Sequence, residues 1–393
     1  MTILHPETTA APLTATSPAR APQDVRSRIE RAKHAFSTRT VGAHLRRARE
    51  VELITGEHVP QPGEVLLARV TKVGHHKRLE SPVSRRQILF PGDEIVVAYG
   101  SRYAADQFLA MVPADLGPAH LAAAGGLASR VLEQHSGVGS PTEIEPIGVI
   151  RDEHGPLTLA RTAPHQVLRS LTARTDRPAH HVPVIAVLGT SMNSGKSTVL
   201  AHLAHGLAAA GLRVAAGKAT GTGAGNDYNL FLDAGAHRVL DFTDFGYSST
   251  FQVDVEEVRD LFLSMADELA GGAARPDVVL LEIADGVYQG ETARLLADPE
   301  VGAVVDLVVF AAGDALGAVG GVAALAELGR TPSVVSGVVT SSPLATAEAR
   351  RALDVPVAGT FDLTEAEVAR GLVEDLLEER LADASLPRAG AAG

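Results

Sequence analysis

The stretch that decides the fold runs from Val184 to Leu200 and reads V-I-A-V-L-G-T-S-M-N-S-G-K-S-T-V-L. It opens on an unbroken apolar run, which is typical of a strand buried on both faces of a parallel sheet. A glycine-containing turn follows, and a helix is expected to begin at Gly195-Lys196-Ser197. This order predicts a phosphate-binding loop, because glycine loops at helix N-termini offer many unobstructed N–H groups to a polyanion.

Each residue type in this loop suits one task in binding a magnesium triphosphate. We expect Lys196 to reach the β- and γ-phosphates and Ser197 to place its hydroxyl on Mg²⁺. The alternative is an ordinary Gly- and Ser-rich turn between a strand and a helix. The predicted nucleotide contacts are Thr190, Ser191, Met192, Asn193, Ser194, Gly195, Lys196, Ser197 and Thr198.

The spacing of the loop points to a particular group of proteins. Five residues rather than four separate Gly189 from Gly195, and Thr190 follows the first glycine. This form, G-T-x-x-x-x-G-K-[ST], resembles the loop of dethiobiotin synthetase-like ATP-dependent ligases and, more distantly, that of the D-glutamate N-acetyltransferase-like family. The resemblance covers residues 183–361 and implies a P-loop NTPase domain with ATP and Mg²⁺ as cofactors.

A second motif lies at the end of the next predicted strand, where G-K-A-T-G-T-G occupies residues 217–223. The ligases carry K-P-V-x-[ST]-G here, so the resemblance implies that Lys218 contacts the substrate and the transferring phosphoryl group. It also implies that Asp227 helps to hold Mg²⁺. Ligands of open α/β sheets bind beyond the carboxyl ends of the strands, so this loop should lie beside the phosphate loop. The alternative for Lys218 is a surface lysine at a strand end.

The third motif is D-V-V-L-L-E-I at residues 277–283, a Walker-B-like strand that ends in Glu282. Its carboxylate is expected on Mg²⁺, directly or through water. The ligases have V-E-G-A-G-G at this place, whereas Asp285 replaces a glycine of that pattern. Asp285 is therefore either a second acid at the metal or a determinant of a different substrate. Thr222, Gly223 and Asp285 are the candidate substrate contacts.

From residue 183 onward, apolar strands alternate with helices, which predicts a parallel sheet with helices on both faces. The last strand is predicted over residues 355–359, and an amphipathic C-terminal helix over residues 364–381. Before residue 183, apolar and β-rich segments predict strands over residues 65–73, 87–90, 94–99 and 142–150 and hence a smaller, mostly antiparallel β-rich module, although residues 121–134 favour a helix. The predicted fold class is thus α/β, a P-loop domain preceded by a smaller β-rich domain. The boundaries are a disordered tail (1–23), an N-terminal β-rich α+β module (24–160), a linker (161–182), the P-loop nucleotide-binding domain (183–381) and a C-terminal tail (382–393).

Several charged clusters allow more than one interpretation. The loop from His75 to Arg78 suits an anion or substrate contact better than a metal site, because adjacent residues on a strand point to opposite faces; an exposed loop without a role is equally compatible. Asp241 and Asp244 could bind a metal or a substrate, or they could cap their loop. The basic stretch of residues 24–50 is either a solvated helix face or a contact with an anionic partner or another subunit.

Composition narrows the class of protein. The 393 residues carry a net charge of −12, which argues against a general polyanion-binding surface and hence against nucleic acid. The absence of cysteine excludes disulfides and a cysteine nucleophile. Neither an apolar span nor a secretory leader is present, so we expect a cytoplasmic protein without membrane contact. The expected partners are a small-molecule substrate and further copies of the chain.

The ligase resemblance implies phosphoryl transfer from ATP to a carboxylate or carbamate, and the acyl phosphate is then attacked by an amine. Lys196 and Lys218 are the candidate catalytic residues, and Ser197, Asp227 and Glu282 are the candidate metal ligands. ATP is favoured over GTP because the N-K-x-D motif of guanine-specific proteins is absent. Three alternatives stay open: an acetyl-CoA-dependent N-acyltransferase, a nucleotide-dependent switch or metallochaperone, and a small-molecule kinase.

Overall fold

The computed structural model describes residues 24–168, 182–272 and 274–385. The predicted tail of residues 1–23, most of the predicted linker and the last residues, 386–393, lie outside this part of the chain. Within it, no helix combines the length and the apolar character that crossing a membrane requires.

The N-terminal part is built almost entirely from strands. Three short helices accompany them: α1 (Val25–Arg31), α2 (Val41–Leu45) and α3 (Leu159–Thr162). The strands are β1 (Lys33–His34), β2 (Glu52–Ile54), β3 (Val65–Lys72), β4 (Arg78–Glu80), β5 (Arg86–Ile88), β6 (Glu94–Tyr99), β7 (Arg102–Tyr103), β8 (Phe108–Met111), β9 (Ala119–Ala123), β10 (Leu127–Gln134), β11 (Thr142–Asp152) and β12 (Gly155–Pro156).

The longer strands of this part close into a barrel. Strand β6 pairs with β3, β3 with β11, β11 with β9 and β9 with β10, and β10 returns to pair with β6. Alternation along β3 explains its continuous apolar run: Leu66 and Ala68 face the barrel core, whereas Val65 and Leu67 face a second cluster that includes Ile29 of α1. A closed barrel leaves few free strand edges, and the module has a core of its own.

The helix predicted over residues 121–134 is wrong, because this segment forms the β9–β10 hairpin. The small residues that suggested a helix serve the hairpin turn instead. Gly126 adopts φ +105°, and a Cβ there would lie 2.0 Å from Ala35 Cβ. Pairing with β6 and β11 outweighs the helix propensity of the alanines. The strands predicted over residues 65–73, 94–99 and 142–150 match β3, β6 and β11.

The C-terminal part is a P-loop domain with alternating strands and helices. Its strands are β13 (Val184–Gly189), β14 (Val214–Lys218), β15 (Arg238–Asp241), β16 (Val278–Glu282), β17 (Leu307–Ala311) and β18 (Val334–Ser336). Its helices are α4 (Lys196–Ala209), α5 (Gly225–Asp233), α6 (Val255–Ala270), α7 (Gly290–Ala297), α8 (Pro299–Val304), α9 (Ala315–Glu327), α10 (Pro343–Ala352), α11 (Ala366–Gly371) and α12 (Glu374–Ser385).

The strands of this part run parallel in the order β15-β14-β16-β13-β17-β18, and a hydrophobic cluster covers each face of the sheet. The predicted α/β class with a β-rich N-terminal part is therefore confirmed. The predicted last strand near Val357 is reduced to a single bridge to Val335, and the predicted C-terminal helix is divided into α11 and α12. Adjacent strands β13 and β16 lead into connections that leave in opposite directions, which creates a crevice at their carboxyl ends.

Candidate nucleotide site

The phosphate loop joins β13 to α4 at this crevice. Gly189 ends the strand, and a Cβ on it would lie 2.3 Å from Ser194 Oγ. Gly195 adopts φ +100° directly before the helix, which is the left-handed conformation that favours glycine. Lys196 is 6% exposed, and its ammonium donates a 2.8 Å hydrogen bond to the carbonyl oxygen of Ser191. The loop is thus held in shape by its own lysine, and the N-terminus of α4 faces the crevice.

Lys218 ends β14 and lies between two acidic side chains. Its ammonium forms an ion pair with Asp227 of α5 and lies 3.8 Å from Glu282 Oε1. The sheet register places Lys218 directly opposite Glu282, so the contact follows from strand pairing. Three charged residues from different elements therefore meet at one point beside the phosphate loop.

The pKa values of this cluster depend on one another. Burial opposes the charged form of Lys218, but Glu282 and Asp227 outweigh it and raise its pKa. Burial likewise opposes the charged form of Asp227, yet Lys218 and a hydrogen bond from Ser197 lower its pKa. For Glu282, burial outweighs the neighbouring lysines and raises the pKa. Lys218 thus supplies the charge that keeps Asp227 ionised.

The oxygen atoms of Ser197, Asp227 and Glu282 suit a magnesium ion bound as in other P-loop proteins. Glu282 is 2% exposed, and its Oε2 atom is buried without a hydrogen-bond partner. The Ser197 hydroxyl lowers the pKa of both Asp227 and Glu282, so it lies close to both carboxylates. A hydroxyl with one or two carboxylates suits Mg²⁺, which takes its other ligands from water and phosphate oxygens. The described residues hold no cluster of three or more His, Asp or Glu that would bind a metal unaided.

Asp285 and Gly286 follow the Walker-B-like strand and pack against the phosphate loop. A Cβ on Gly286 would lie 2.2 Å from the carbonyl oxygen of Thr190, so only glycine allows this approach. Asp285 adopts φ +66°, a strained conformation for a residue with a side chain. Burial raises the pKa of its carboxyl, although Lys196 and Lys218 oppose this change. Strain and burial at one acid beside the loop mark Asp285 as a functional candidate.

The barrel forms the opposite wall of the same cleft, which has a volume of about 1010 Å³. Its lining includes most of the residues that the sequence singled out: Met192, Asn193, Gly195, Lys196, Ser197, Thr198, Lys218, Thr222, Gly223, Asp227, Glu282, Asp285 and the loop from His75 to Arg78. The remaining predicted contacts shape the loop. Thr190 packs against Gly286, Ser191 accepts the Lys196 hydrogen bond, and the Ser194 carbonyl accepts one from Val338.

Close contacts fix the barrel on the P-loop domain. Asn193 of the phosphate loop donates a 2.9 Å hydrogen bond to Asp106, which lies in the turn between β7 and β8. The Gly225 N–H donates a 3.0 Å hydrogen bond to Glu80 of β4. Arg39 forms an ion pair with Asp244. The barrel therefore touches the phosphate loop itself, the first residue of α5 and the helical turn that follows β15.

The acids Asp241 and Asp244 cap their loop, which was one of the two interpretations open from the sequence. They form a capping box around the short helical turn Phe242–Phe245. Asp106 and Arg102, in contrast, were missed. They belong to a short hairpin with no recognisable motif, and only the folded chain brings Arg102 to the cleft and Asp106 to the phosphate loop. No local signal in the sequence marks them.

The parallel sheet, the phosphate loop between β13 and α4, and the Walker-B-like carboxylate on the adjacent strand define a P-loop NTPase fold. No protein-family model matches the chain, and no curated protein matches it. Solved structures with partial likeness include the signal recognition particle receptor FtsY from Elizabethkingia anophelis, at 17% identity and a TM-score of 0.29 over 51% of this chain and 68% of that one.

Two further structures show a similar degree of likeness. The signal recognition particle 54 kDa protein from Aeropyrum pernix K1, in complex with GDP, has 21% identity and a TM-score of 0.32 over 53% of this chain and 51% of that one. The hydrogenase maturation factor HypB from Archaeoglobus fulgidus has 14% identity and a TM-score of 0.30 over 51% of this chain and 88% of that one. Identities and TM-scores this low do not indicate what reaction the chain catalyses. The residues of the site are the evidence for that.

Proposed function

We propose that this protein binds a magnesium nucleoside triphosphate at the phosphate loop and cleaves its γ-phosphate. The observation that carries the proposal is the convergence of Lys196, Ser197, Lys218, Asp227 and Glu282 at the carboxyl edge of one parallel sheet. Phosphoryl transfer needs little covalent help from a protein, since positioning and charge neutralisation supply most of the catalysis. This cluster offers both.

Each side chain has a defined task. The loop N–H groups and Lys196 bind the phosphates, while Ser197 and Glu282 hold the metal. When bound, Mg²⁺ withdraws charge from the phosphate oxygens and orients them. Lys218 then neutralises negative charge that develops on the transferring group. Asp227 keeps the Lys218 ammonium in place through their ion pair.

We further propose that the phosphoryl group passes to a small acceptor held in the cleft, as in the ligases that the motifs resemble. The volume of about 1010 Å³ accommodates a nucleotide together with a second molecule. Asp285 lies on this cleft, and burial raises the pKa of its carboxyl, so it suits a group that takes the proton of a hydroxyl acceptor, whereas a carboxylate or carbamate needs no such base. A carboxylate or carbamate acceptor would give an acyl phosphate, whereas a hydroxyl would give a stable phosphate ester.

ATP is the proposed nucleotide. The segment after β18 reads G-V-V-T-S-S-P-L over residues 337–344 and contains no N-K-x-D motif, and we expect the base at residues 341–344. Guanine-specific P-loop proteins carry that motif, so its absence favours ATP over GTP. Displacement of a fluorescently labelled, non-hydrolysable ATP analogue by ATP and by GTP, measured separately, tests this choice directly.

A nucleotide-dependent switch is the second candidate, and one observation favours it. Asn193 of the phosphate loop is hydrogen bonded to Asp106 of the barrel, so a change at the phosphates reaches the N-terminal part through a single contact. A switch predicts slow hydrolysis that no small molecule accelerates. A transferase predicts little turnover until its acceptor is added. Phosphorus NMR of the products distinguishes inorganic phosphate from a phosphorylated acceptor.

Calorimetry with the non-hydrolysable analogue AMP-PNP and Mg²⁺ tests the core of the proposal. Lys196→Ala should abolish binding, because the loop loses its structural and phosphate-binding cation. Glu282→Gln should bind the analogue with a much weaker dependence on Mg²⁺. Lys72→Ala is the matched control, since Lys72 is exposed and forms its ion pair with Glu143 on the barrel surface. Unchanged binding in both site variants would refute the proposed function.

A further inference from the structure

Arg102 is a buried cation on the barrel wall of the cleft, and the charge is uncompensated by any close carboxylate. The residue is 6% exposed, and no Asp or Glu of the described chain lies within ion-pair distance of it. Its Nη1 donates to the carbonyl oxygen of Ala122, and its Nη2 donates a 3.0 Å hydrogen bond to Gln107. Its Nε atom is buried without a partner. A guanidinium has five N–H donors, so donors remain after these contacts.

The guanidinium of Arg102 stays charged, and the groups around it do not neutralise that charge. Burial lowers its pKa to about 10, so the guanidinium is still charged at neutral pH. The nearest titratable group is His76, whose Nε2 lies 3.2 Å from Nη1. Burial and Arg102 lower the pKa of His76 to about 4, so the ring is neutral. Asp106 and Asp285 act on the guanidinium only from a greater distance.

Further cations line the same wall. Lys77, Arg78 and Arg86 face the cleft, and none of them has an ion-pair partner among the described residues. Arg86 makes one hydrogen bond of 3.4 Å, to Asn226 of α5. The barrel part of the lining also contains one carboxylate, Glu80, which accepts a hydrogen bond from the Gly225 N–H, so its cations are in excess. The chain as a whole carries a net charge of −12, so an excess of positive charge is not a general property of its surface. A buried charge is costly unless it is paired, and here a ligand can supply the partner.

We propose that the barrel wall binds an anionic group of the acceptor, a carboxylate or a phosphate, with Arg102 as the anchor and Arg78 as a second contact. The identification of this ligand as the acceptor rests on the proposed function. The anion site itself does not, because it lies on the wall opposite the phosphate loop. A planar guanidinium matches either oxyanion, and Lys196 already serves the phosphates of the nucleotide. The N-terminal part thereby gains a role, which is to select acidic acceptors.

The test uses two probes, succinate and inorganic phosphate, added at constant ionic strength to the full chain. The readout is the midpoint of thermal unfolding, and all variants are made in a Lys196→Ala background so that the phosphate loop does not respond. We expect a saturable rise of the midpoint in that background. Arg78→Gln should raise the half-saturating concentration about tenfold, and Arg102→Lys should abolish the response, because an ammonium lacks the bidentate fork.

Arg85→Gln is the matched control, since Arg85 neighbours Arg86 in sequence and is exposed but does not line the cleft. Its response should equal that of the parent. The probe with the lower half-saturating concentration identifies the anion as a carboxylate or a phosphate. An equal response in Arg78→Gln and Arg85→Gln overturns the proposal even if Arg102→Lys unfolds. Loss of the response on Lys196→Ala alone also overturns it. If the parent chain, with Lys196 intact, binds no AMP-PNP but the succinate response persists, only the proposed function is refuted.

Discussion

Lys218 Nζ lies 3.8 Å from Glu282 Oε1, across two neighbouring strands whose register pairs these residues. The same ammonium forms an ion pair with Asp227. All three side chains are buried or nearly so, and none would be stable there alone as an ion. The lysine thus balances two carboxylates at the point where a P-loop protein holds Mg²⁺. This arrangement links the stability of the fold to the charge state of the site.

Replacing Lys218 by Met should therefore destabilise the protein markedly. Removing one member of a buried ion pair leaves an uncompensated charge and costs about 3–5 kcal/mol. Urea unfolding at neutral pH measures the change in the free energy of unfolding. Added Mg²⁺ should recover part of the loss, since it supplies positive charge to Glu282 and Asp227. Lys72→Met is the control and should cost less than about 1 kcal/mol, because its pair with Glu143 is exposed.

The hydrogen bond between Asn193 and Asp106 leads to a second prediction. Asp106 places a carboxylate against the loop that is expected to bind a polyanion. Asp106→Asn keeps the size of the side chain but removes its charge, so it should tighten binding of AMP-PNP about three- to tenfold, as expected for about 1 kcal/mol of repulsion. Calorimetry measures the dissociation constant. Asp115→Asn, which removes an exposed carboxylate elsewhere on the barrel, should leave it unchanged. Weaker binding in Asp106→Asn would show that the contact supports nucleotide binding instead.

Local pattern was sufficient to predict the P-loop domain. An apolar strand that ends in a glycine loop restricts the chain to few conformations, and the register of parallel strands then brings Lys218 and Glu282 together. The barrel was harder to predict, because its closure depends on pairing between β6 and β10, and no local pattern records such a contact. The alanine-rich segment around residue 123 favours a helix by itself and becomes a strand only when partners are present on both sides.

The residues of the site also fall into those that the sequence could predict and those that it could not. Residues that lie in motifs, such as Lys196 and Asp227, could be assigned to it from the sequence. Arg102 could not, because its significance comes from burial without an anionic partner, and burial is a property of the folded chain. The interpretation of His75 to Arg78 as an anion-contact loop stays a prediction. The structure adds that this loop lies on the cleft, opposite the phosphate loop.

A third prediction concerns pH. Asp241 is 1% exposed, and burial raises its pKa to about 6, although Arg39 opposes this and Asp244 adds to it. Because the folded state then binds this proton more tightly than the unfolded state, the contribution of Asp241 to stability is greatest below about pH 4 and falls as the pH rises towards 6. The expected loss is about 2–3 kcal/mol. Asp241→Asn should remove this part of the pH dependence, since asparagine caps a helical turn equally well and does not titrate.

Urea unfolding of both proteins at intervals between pH 4 and 7 measures this effect. The difference in the free energy of unfolding between the parent and Asp241→Asn should change within this window and level off above it. Asp233→Asn, at an exposed position in α5, provides a control for general charge effects. A constant difference between Asp241→Asn and the parent across the whole window would contradict the raised pKa.

The last prediction concerns the fit between the barrel and the P-loop domain. Gly125 lies in the β9–β10 turn, and a Cβ on it would come within 1.9 Å of the carbonyl oxygen of Gly223. That oxygen belongs to backbone, which cannot move aside as a flexible side chain could. Gly125→Ala should therefore cost about 1–3 kcal/mol of stability, the usual range for overpacking.

Gly139→Ala is the matched control, because Gly139 lies in an exposed loop of the same module and a Cβ there meets nothing within 4 Å. It should leave the stability nearly unchanged. Since Gly125 and Gly223 both line the cleft, the alanine should also separate the two walls and weaken the response to succinate, whereas Gly139→Ala should not. If Gly125→Ala and Gly139→Ala have equal unfolding midpoints, the barrel does not pack on the P-loop domain in the way described.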